Sequence, residues 1–380
     1  MRGGLVPRGV CDAAHEGVAM DNDGMSLKPV PVRDVRDGGP LRHALEAQAR
    51  ARALRDECVG WFPRTAQRCI PALDGITRRW LMRSHSPYVE EIAAIAAALG
   101  FPGIWFLNGA YEWGCTALAR EEDAPWLART LDWPFPGLGR HVEIARMAGP
   151  AGEFMNVTWP GFVGVLTAMA PERFAASVNQ APLWRRTRAP ALRLFDIAAN
   201  AVRTWSLPHI PPDQLLRQVF ETCATFADAK ARLETTPIAR PVIYTLVGCA
   251  PGERCVIERT EDGHVTRFEE TCAANDWLTP AAPWEARVGG DLMFSCSFGE
   301  AGGNSRIRRE ALSAWDGRFD DRPFAWVTPP VLNRFTRIAT EMCPAQGVLR
   351  VLGYESAAGF ELPQPATLAG EVRAGTPALA

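Results

Sequence analysis

The stretch WGCTALAREEDAPWLARTLDWP, residues 113 to 134, decides how the rest of the chain is read. Two apolar runs, CTALAR and WLARTLDW, flank the polar turn EEDAP, which is the pattern of a β-hairpin. A turn centred on Asp123 sets Cys115 opposite Leu131, to within a residue or two, and beside Arg129 and Asp132. A thiol, a guanidinium and a carboxylate therefore meet at one end of one hairpin. A cation beside a thiol favours the thiolate, which is the nucleophilic form. The plain rival is a surface Arg–Asp pair next to a buried cysteine.

Outward from this hairpin the strands continue. HVEIARM and EFMNVTW flank GPAG, and GFVGVLTAMA and RFAASVNQ flank PE, so neighbouring strands are joined by short turns. Helical patterns follow at RLFDIAANAVRTW, PDQLLRQVFETC and TFADAKARLETT. Strands return at VIYTLVG, RCVIERT and HVTRFEE, a helix is expected at SRIRREALSAW, and TRIATEM to GVLRVLGYE forms a last hairpin. Upstream, Leu41 to Trp61 reads as one helix, and SPYVEEIAAIAAALG as another, with Ser86 as N-cap and Gly100 closing it. The expectation is an α+β fold of antiparallel sheets covered by helices.

The chain has 380 residues, 47% of them hydrophobic, and a formal net charge of −2. That balance gives no general attraction to nucleic acid or to an anionic membrane. No run of about 18 apolar residues is present, so no transmembrane helix is expected. The first thirty residues lack the apolar segment of a signal peptide, and the expected location is cytoplasmic. The ten cysteines form no CxxC pair and have no histidine at zinc spacing, so neither a metal nor another cofactor is expected. Most of these thiols read as buried and free, and a functional one must be picked out by its neighbours.

Several stretches carry a resemblance in the same order along the chain. WGCTALA with ARTLDWP resembles the nucleophile region of the N-terminal-nucleophile hydrolases that cleave linear amides. That group includes acid ceramidase, N-acylethanolamine acid amidase, bile-salt hydrolase and isopenicillin N acyltransferase. PYVEEIAAIAAALGFP followed by FLNGAYE resembles the end of the acid ceramidase pro-segment. WPGFVGVLTAMAPERFAASVNQ resembles its strand pair, GCAPGERCVIERTEDGHV a further hairpin, AANDW the stretch holding an oxyanion asparagine, and PPVLNRFTRIAT the C-terminal segment.

The resemblance implies an αββα sandwich and a precursor that cuts itself between Gly114 and Cys115. The α-amino group so freed has a reference pKa near ~7.7–8.0 and can act as base for its own thiol. On this reading Cys115 is nucleophile and base, Asp132 orients its amine, and Arg129 lies near the thiol and the substrate carbonyl. Asn275 donates to the oxyanion, and Asn179 falls where bile-salt hydrolases carry an active-site asparagine. The family's late arginine falls in NSRIRREAL, with Arg306 preferred and Arg309 second, since one helical turn separates them. Two positions depart from the pattern: Thr130 stands at the usual Asn, and Gln180 at a glutamate of acid ceramidase. Trp133, Phe135, Trp159 and Phe162, with Gln180, are candidates for lining the substrate site, although aromatic residues flanking strands are more often core.

The implied organisation is a disordered tail over 1–37, a helical pro-segment over 38–114 that stays bound after cleavage, a catalytic domain over 115–358, and a C-terminal tail over 359–380. The implied activity is hydrolysis of a fatty or otherwise apolar N-acyl amine through a Cys115 thioester. An acyltransferase with the same machinery, and a non-catalytic binding protein built on such a hydrolase, are the alternatives.

Overall fold

The computed structural model describes residues 27–109, 114–186, 189–279, 284–285, 298–356 and 362–374. The helix-forming run from Leu41 gives two helices rather than one. α1 (Gly39–Glu46) and α2 (Gln48–Gly60) break at Ala47, whose φ of −116° leaves the helical region. α3 (Arg64–Gln67), α4 (Ile70–Leu81), α5 (Val89–Leu99) and α6 (Ile104–Gly109) follow. Gly100 closes α5 with φ 64°, as its lack of a Cβ allows. The N-cap is Tyr88 rather than Ser86, whose hydroxyl accepts the Tyr88 N–H at 3.2 Å. Trp80, Leu81, Ile92, Ile95 and Ile104 give these helices a core of their own.

Two sheets, antiparallel except at one edge, form the centre. The chain enters at β1 (Val32–Asp34) and, after the helices, makes the hairpin β2 (Gly114–Glu121) and β3 (Pro125–Asp132). Next come β4 (Glu143–Gly149), β5 (Gly152–Thr158), β6 (Thr167–Ala170) and β7 (Phe174–Gln180). β8 (Val242–Val247), β9 (Arg254–Arg259), β10 (His264–Arg267) and β11 (Cys272–Ala273) follow. β12 (Thr336–Cys343), β13 (Val348–Glu355) and β14 (Gly370–Arg373) complete the set used below. The first sheet has the order β10-β9-β8-β7-β6-β5-β4-β1, and the second has β11-β2-β3-β12-β13, with the short strand Gln364–Pro365 and β14 both on β13.

Strands β2 and β3 face β7 and β8 across the sandwich. Helices α8 (Pro212–Thr222) and α9 (Phe226–Thr235) cover the far side of the first sheet through Leu215, Leu216, Val219, Phe220 and Leu233. They follow α7 (Arg193–Ser206) in the chain. On the far side of the second sheet, α10 (Phe298–Ser313) packs Leu312 against the cluster of Leu118, Trp126 and Cys272. The order of layers is thus helix, sheet, sheet, helix, the αββα sandwich expected for this fold class. No described helix is long and apolar enough to cross a membrane.

Both expected tails contribute strands. Val32–Asp34 pairs in parallel with β4, and Gly370–Arg373 pairs antiparallel with β13, so the second sheet extends beyond residue 358. Strands of three and four residues are too short for an alternating pattern to show; they are held by backbone hydrogen bonds at sheet edges. Residues 1–26 and 375–380 lie outside the described residues.

Candidate active site

The hairpin register places Cys115 opposite Leu131, as the turn residues imply. Side chains alternate across a pleated strand. Ala119, Leu127 and Leu131 therefore share the inner face with Cys115, while Leu118, Trp126 and Ala128 lie in the outer cluster. Arg129 belongs to the inner face and is the diagonal neighbour of Cys115. Its Nη2 lies 2.9 Å from the Cys115 Sγ and also donates to Val178 O at 3.0 Å. Its Nη1 donates to Leu166 O at 3.2 Å and to the Thr167 hydroxyl. The planar fork is fixed by three acceptors besides the sulfur.

Cys115 is fully buried. Burial pushes its thiol above the ordinary value, and the charge of Arg129 opposes that shift without overcoming it. The sulfur also lies 3.6 Å from Val178 O, close enough for a protonated thiol to donate to it. Arg129 thus favours the thiolate, as the hairpin implies, but desolvation outweighs it and the net direction is toward the thiol.

Asp132 occupies the outer face, where the backbone of Cys115 is held. The Cys115 N–H donates to Asn275 Oδ1 at 2.9 Å, and Arg308 Nη2 donates to the same oxygen at 2.9 Å. Arg308 Nη1 donates to Cys115 O at 2.6 Å and to Thr116 Oγ1 at 2.7 Å, and lies 3.8 Å from Asp132 Oδ2. Asn275 Nδ2 donates to Gln180 O at 2.9 Å. Two donors facing one end of the amide and a carbonyl facing the other fix its orientation. Asn275 thus accepts from the Cys115 nitrogen, whereas the expected oxyanion role needs the Nδ2 that faces Gln180.

The arginine choice is a second correction. Arg306 is exposed and pairs with Glu310 at 3.8 Å, while Arg309 pairs with Asp276 at 2.8 Å. Arg308, between them, reaches the site. The signal was in the helix pattern: Ala301, Ser305, Arg308 and Leu312 are all buried and fall on one stripe. A stripe of small and apolar residues that includes one arginine buries that arginine.

Asn179 is wholly buried; its Nδ2 donates to Ala273 O at 3.2 Å and Ala274 O at 3.1 Å, tying β7 to the segment that carries Asn275. Gln180 serves through its carbonyl, as above. Gly114 is tightly enclosed: a Cβ there would lie 3.3 Å from Asp132 Cβ and 3.4 Å from Asp132 O. Trp133 and Phe135 line an apolar cavity of about 130 Å³, closed by Leu54, Cys58, Ile104 and Leu107 from the helices before the hairpin. Trp159 and Phe162 are core residues instead, their rings 6.4 Å apart, with Trp159 Nε1 donating to Leu138 O at 2.7 Å.

The N-acylethanolamine-hydrolyzing acid amidase of Oryctolagus cuniculus is 28% identical over 186 residues, covering 47% of this chain and 49% of that protein. The chain resembles the amidases that act on linear amides. A probable acid ceramidase of Caenorhabditis elegans is 28% identical over 217 residues, covering 51% of this chain and 52% of its own length. The chain therefore spans about half the length of the curated relatives it matches. Among solved structures, a Caenorhabditis elegans N-acylethanolamine-hydrolyzing acid amidase ortholog aligns with a TM-score of 0.43 at 18% identity, covering 61% of this chain and 93% of that one. A mutant conjugated bile acid hydrolase of Clostridium perfringens aligns with a TM-score of 0.38 at 10% identity, covering 68% of this chain and 92% of that one. No protein-family model matches the chain.

Proposed function

We propose that the chain is a self-processing amidase that hydrolyses the amide of an N-acyl amine with an apolar acyl group. The observation that carries this is the division of labour around Cys115. Arg129 holds the sulfur on the inner face, while Asn275, Arg308 and Asp132 surround the backbone nitrogen side on the outer face. A side-chain nucleophile alone needs only the first half; an N-terminal nucleophile needs both.

In processing, the Cys115 sulfur attacks the Gly114 carbonyl carbon. The peptide C–N bond breaks and the nitrogen takes up the thiol proton, leaving Gly114 as a thioester. Water then hydrolyses that thioester to the Gly114 carboxylate and the free thiol. In turnover, the new amine accepts the thiol proton as sulfur adds to the substrate carbonyl. The proton passes to the departing amine as the substrate C–N bond breaks, and a water activated by the same amine releases the acid. Asn275 Oδ1 is the acceptor that keeps the amine facing the thiol, and Asp132 with Arg308 fixes its surroundings.

The acyl group would lie in the cavity beside Trp133 and Phe135. Its far wall comes from residues 38–114, so that segment stays bound after cleavage and completes the substrate site. Two hydrogen bonds fasten it: His43 Nε2 with Glu143 Oε2 at 2.6 Å, and His141 Nε2 with Glu57 Oε1 at 2.8 Å. The test is turnover of a fluorogenic fatty N-acyl aminocoumarin. The wild type releases the fluorescent amine and Cys115→Ala does not; release by Cys115→Ala overturns the proposal.

A further inference from the structure

The mechanism above leaves the stretch PPVLNRFTRIAT, residues 329 to 340, without a task. Both oxygens of the Asp132 carboxylate are held from it. Asn333 Nδ2 donates to Oδ2 at 2.9 Å, and Thr336 Oγ1 donates to Oδ1 at 2.9 Å. The holders are themselves fixed. Asn333 Oδ1 accepts from Phe335 N at 3.0 Å, and the Asn333 N–H donates to Thr336 Oγ1 at 3.0 Å. That last bond occupies the acceptor side of the hydroxyl and turns its proton toward Asp132.

The strand register shows how Thr336 comes to face Asp132. Thr336 pairs with Asp132, but Ile338 pairs with Leu131, so Arg337 is an extra residue in β12. In a regular strand, residues two apart point the same way. The bulge breaks that rule: Ile338 enters the inner core beside Leu131, while Thr336 stays with Asp132 on the outer face. Arg337 uses its own side chain to hold the segment after β3, donating to Phe135 O at 2.9 Å and Pro134 O at 3.2 Å.

We propose that Asn333 and Thr336 are positioning residues that aim the Asp132 carboxylate at the Gly114–Cys115 junction, so that it meets the amine freed at Cys115. This rests on the reading of Cys115 as an N-terminal nucleophile. Without the two donors, neither Asp132 oxygen keeps its hydrogen bond from this segment, and the carboxylate can turn about its own bond beside Arg308 Nη1 at 3.8 Å. Neither residue lines the acyl cavity, so their loss acts on kcat and not on KM.

The test compares Thr336→Val, Thr336→Ser and Asn333→Ala with the wild type and Cys115→Ala, using the aminocoumarin substrate and a thermal melt of each. Thr336→Val and Asn333→Ala each lower kcat roughly tenfold or more, the effect of one lost hydrogen bond to a charge. KM stays within about twofold, and Thr336→Ser restores kcat. If Thr336→Val does not fold, Asn333→Ala carries the comparison. Wild-type kcat in the folded variants, or a Thr336→Ser as impaired as Thr336→Val, overturns the proposal alone. A wild type that neither cuts itself nor turns over overturns the reading of Cys115 and this proposal with it.

Discussion

Arg129 Nη2 stands 2.9 Å from Cys115 Sγ because Arg129 lies two residues before Leu131, the cross-strand partner of Cys115. The contact does not depend on a charged sulfur, since the same guanidinium donates to Val178 O and Leu166 O. It is a prepared cradle: the cation is in place before the thiol ionises.

Thiol labelling should follow that order. In the uncut chain, iodoacetamide near neutral pH labels exposed Cys69 and spares Cys115, whose burial raises its pKa above the ordinary value. Labelling of Cys115 rises about tenfold per pH unit while the thiol form dominates. After cleavage, Cys115 labels at least about tenfold faster, because a free amine can then take its proton. Peptide mapping by mass spectrometry separates the two forms. Fast labelling of Cys115 in the uncut chain contradicts the burial argument.

Arg308 and Arg306 should behave oppositely. Arg308→Ala leaves the Cys115 carbonyl and the Thr116 hydroxyl without the guanidinium that binds both, and it removes one of the donors on Asn275 Oδ1. That costs about 2–3 kcal/mol in urea unfolding and stops self-cleavage. Arg306→Ala, at an exposed position, stays within about 0.5 kcal/mol and cleaves normally. Equal effects of the two would move the site arginine away from Arg308.

Gly114→Ala should slow cleavage with the fold intact. The added methyl presses on Asp132 from 3.3 Å, so the junction must shift by a few tenths of an ångström. Roughly tenfold slower appearance of the chain that begins at Cys115 is expected in a time course by intact mass. A rate equal to wild type would mean that the junction has slack.

Acid should loosen the helical segment from the sheets. Burial pushes the Glu143 carboxyl up, but His43, Arg33 and Arg50 outweigh it, and its pKa lies below the ordinary range. A depressed carboxylate pKa gives stability that is present above the unfolded value of about 4.3 and lost as pH falls through the folded value. The melting temperature of the wild type therefore drops on acidification below about pH 4, and Glu143→Gln loses that component of the drop. Identical pH profiles for the two proteins would rule out Glu143 as the titrating contact.

The hairpin was legible because a short polar turn separates two apolar runs, so that Asp123 alone places Cys115 opposite Leu131. Helix identity was legible from apolar spacing at Arg193–Ser206, Pro212–Thr222 and Phe226–Thr235. Arg308 was missed because a spacing rule joined Arg306 to Arg309, when the buried stripe of Ala301, Ser305 and Leu312 named the residue between them. The bulge at Arg337 was not legible at all. Nothing in TRIAT marks an extra residue, since the register is set by the fit of Ile338 into the core and of Thr336 onto Asp132. The direction of the Cys115 pKa shift also lay beyond the sequence, since it depends on how much water the fold excludes. The break at Ala47 and the edge strands Val32–Asp34 and Gly370–Arg373 are tertiary choices that local propensity does not record.

The most direct measurement is the intact mass of the purified protein beside that of Cys115→Ala. Self-processing predicts two fragments from the wild type, one ending at Gly114 and one beginning at Cys115, and a single uncut chain from the variant. A wild type that stays whole, or a Cys115→Ala chain cut at the same bond, contradicts the account.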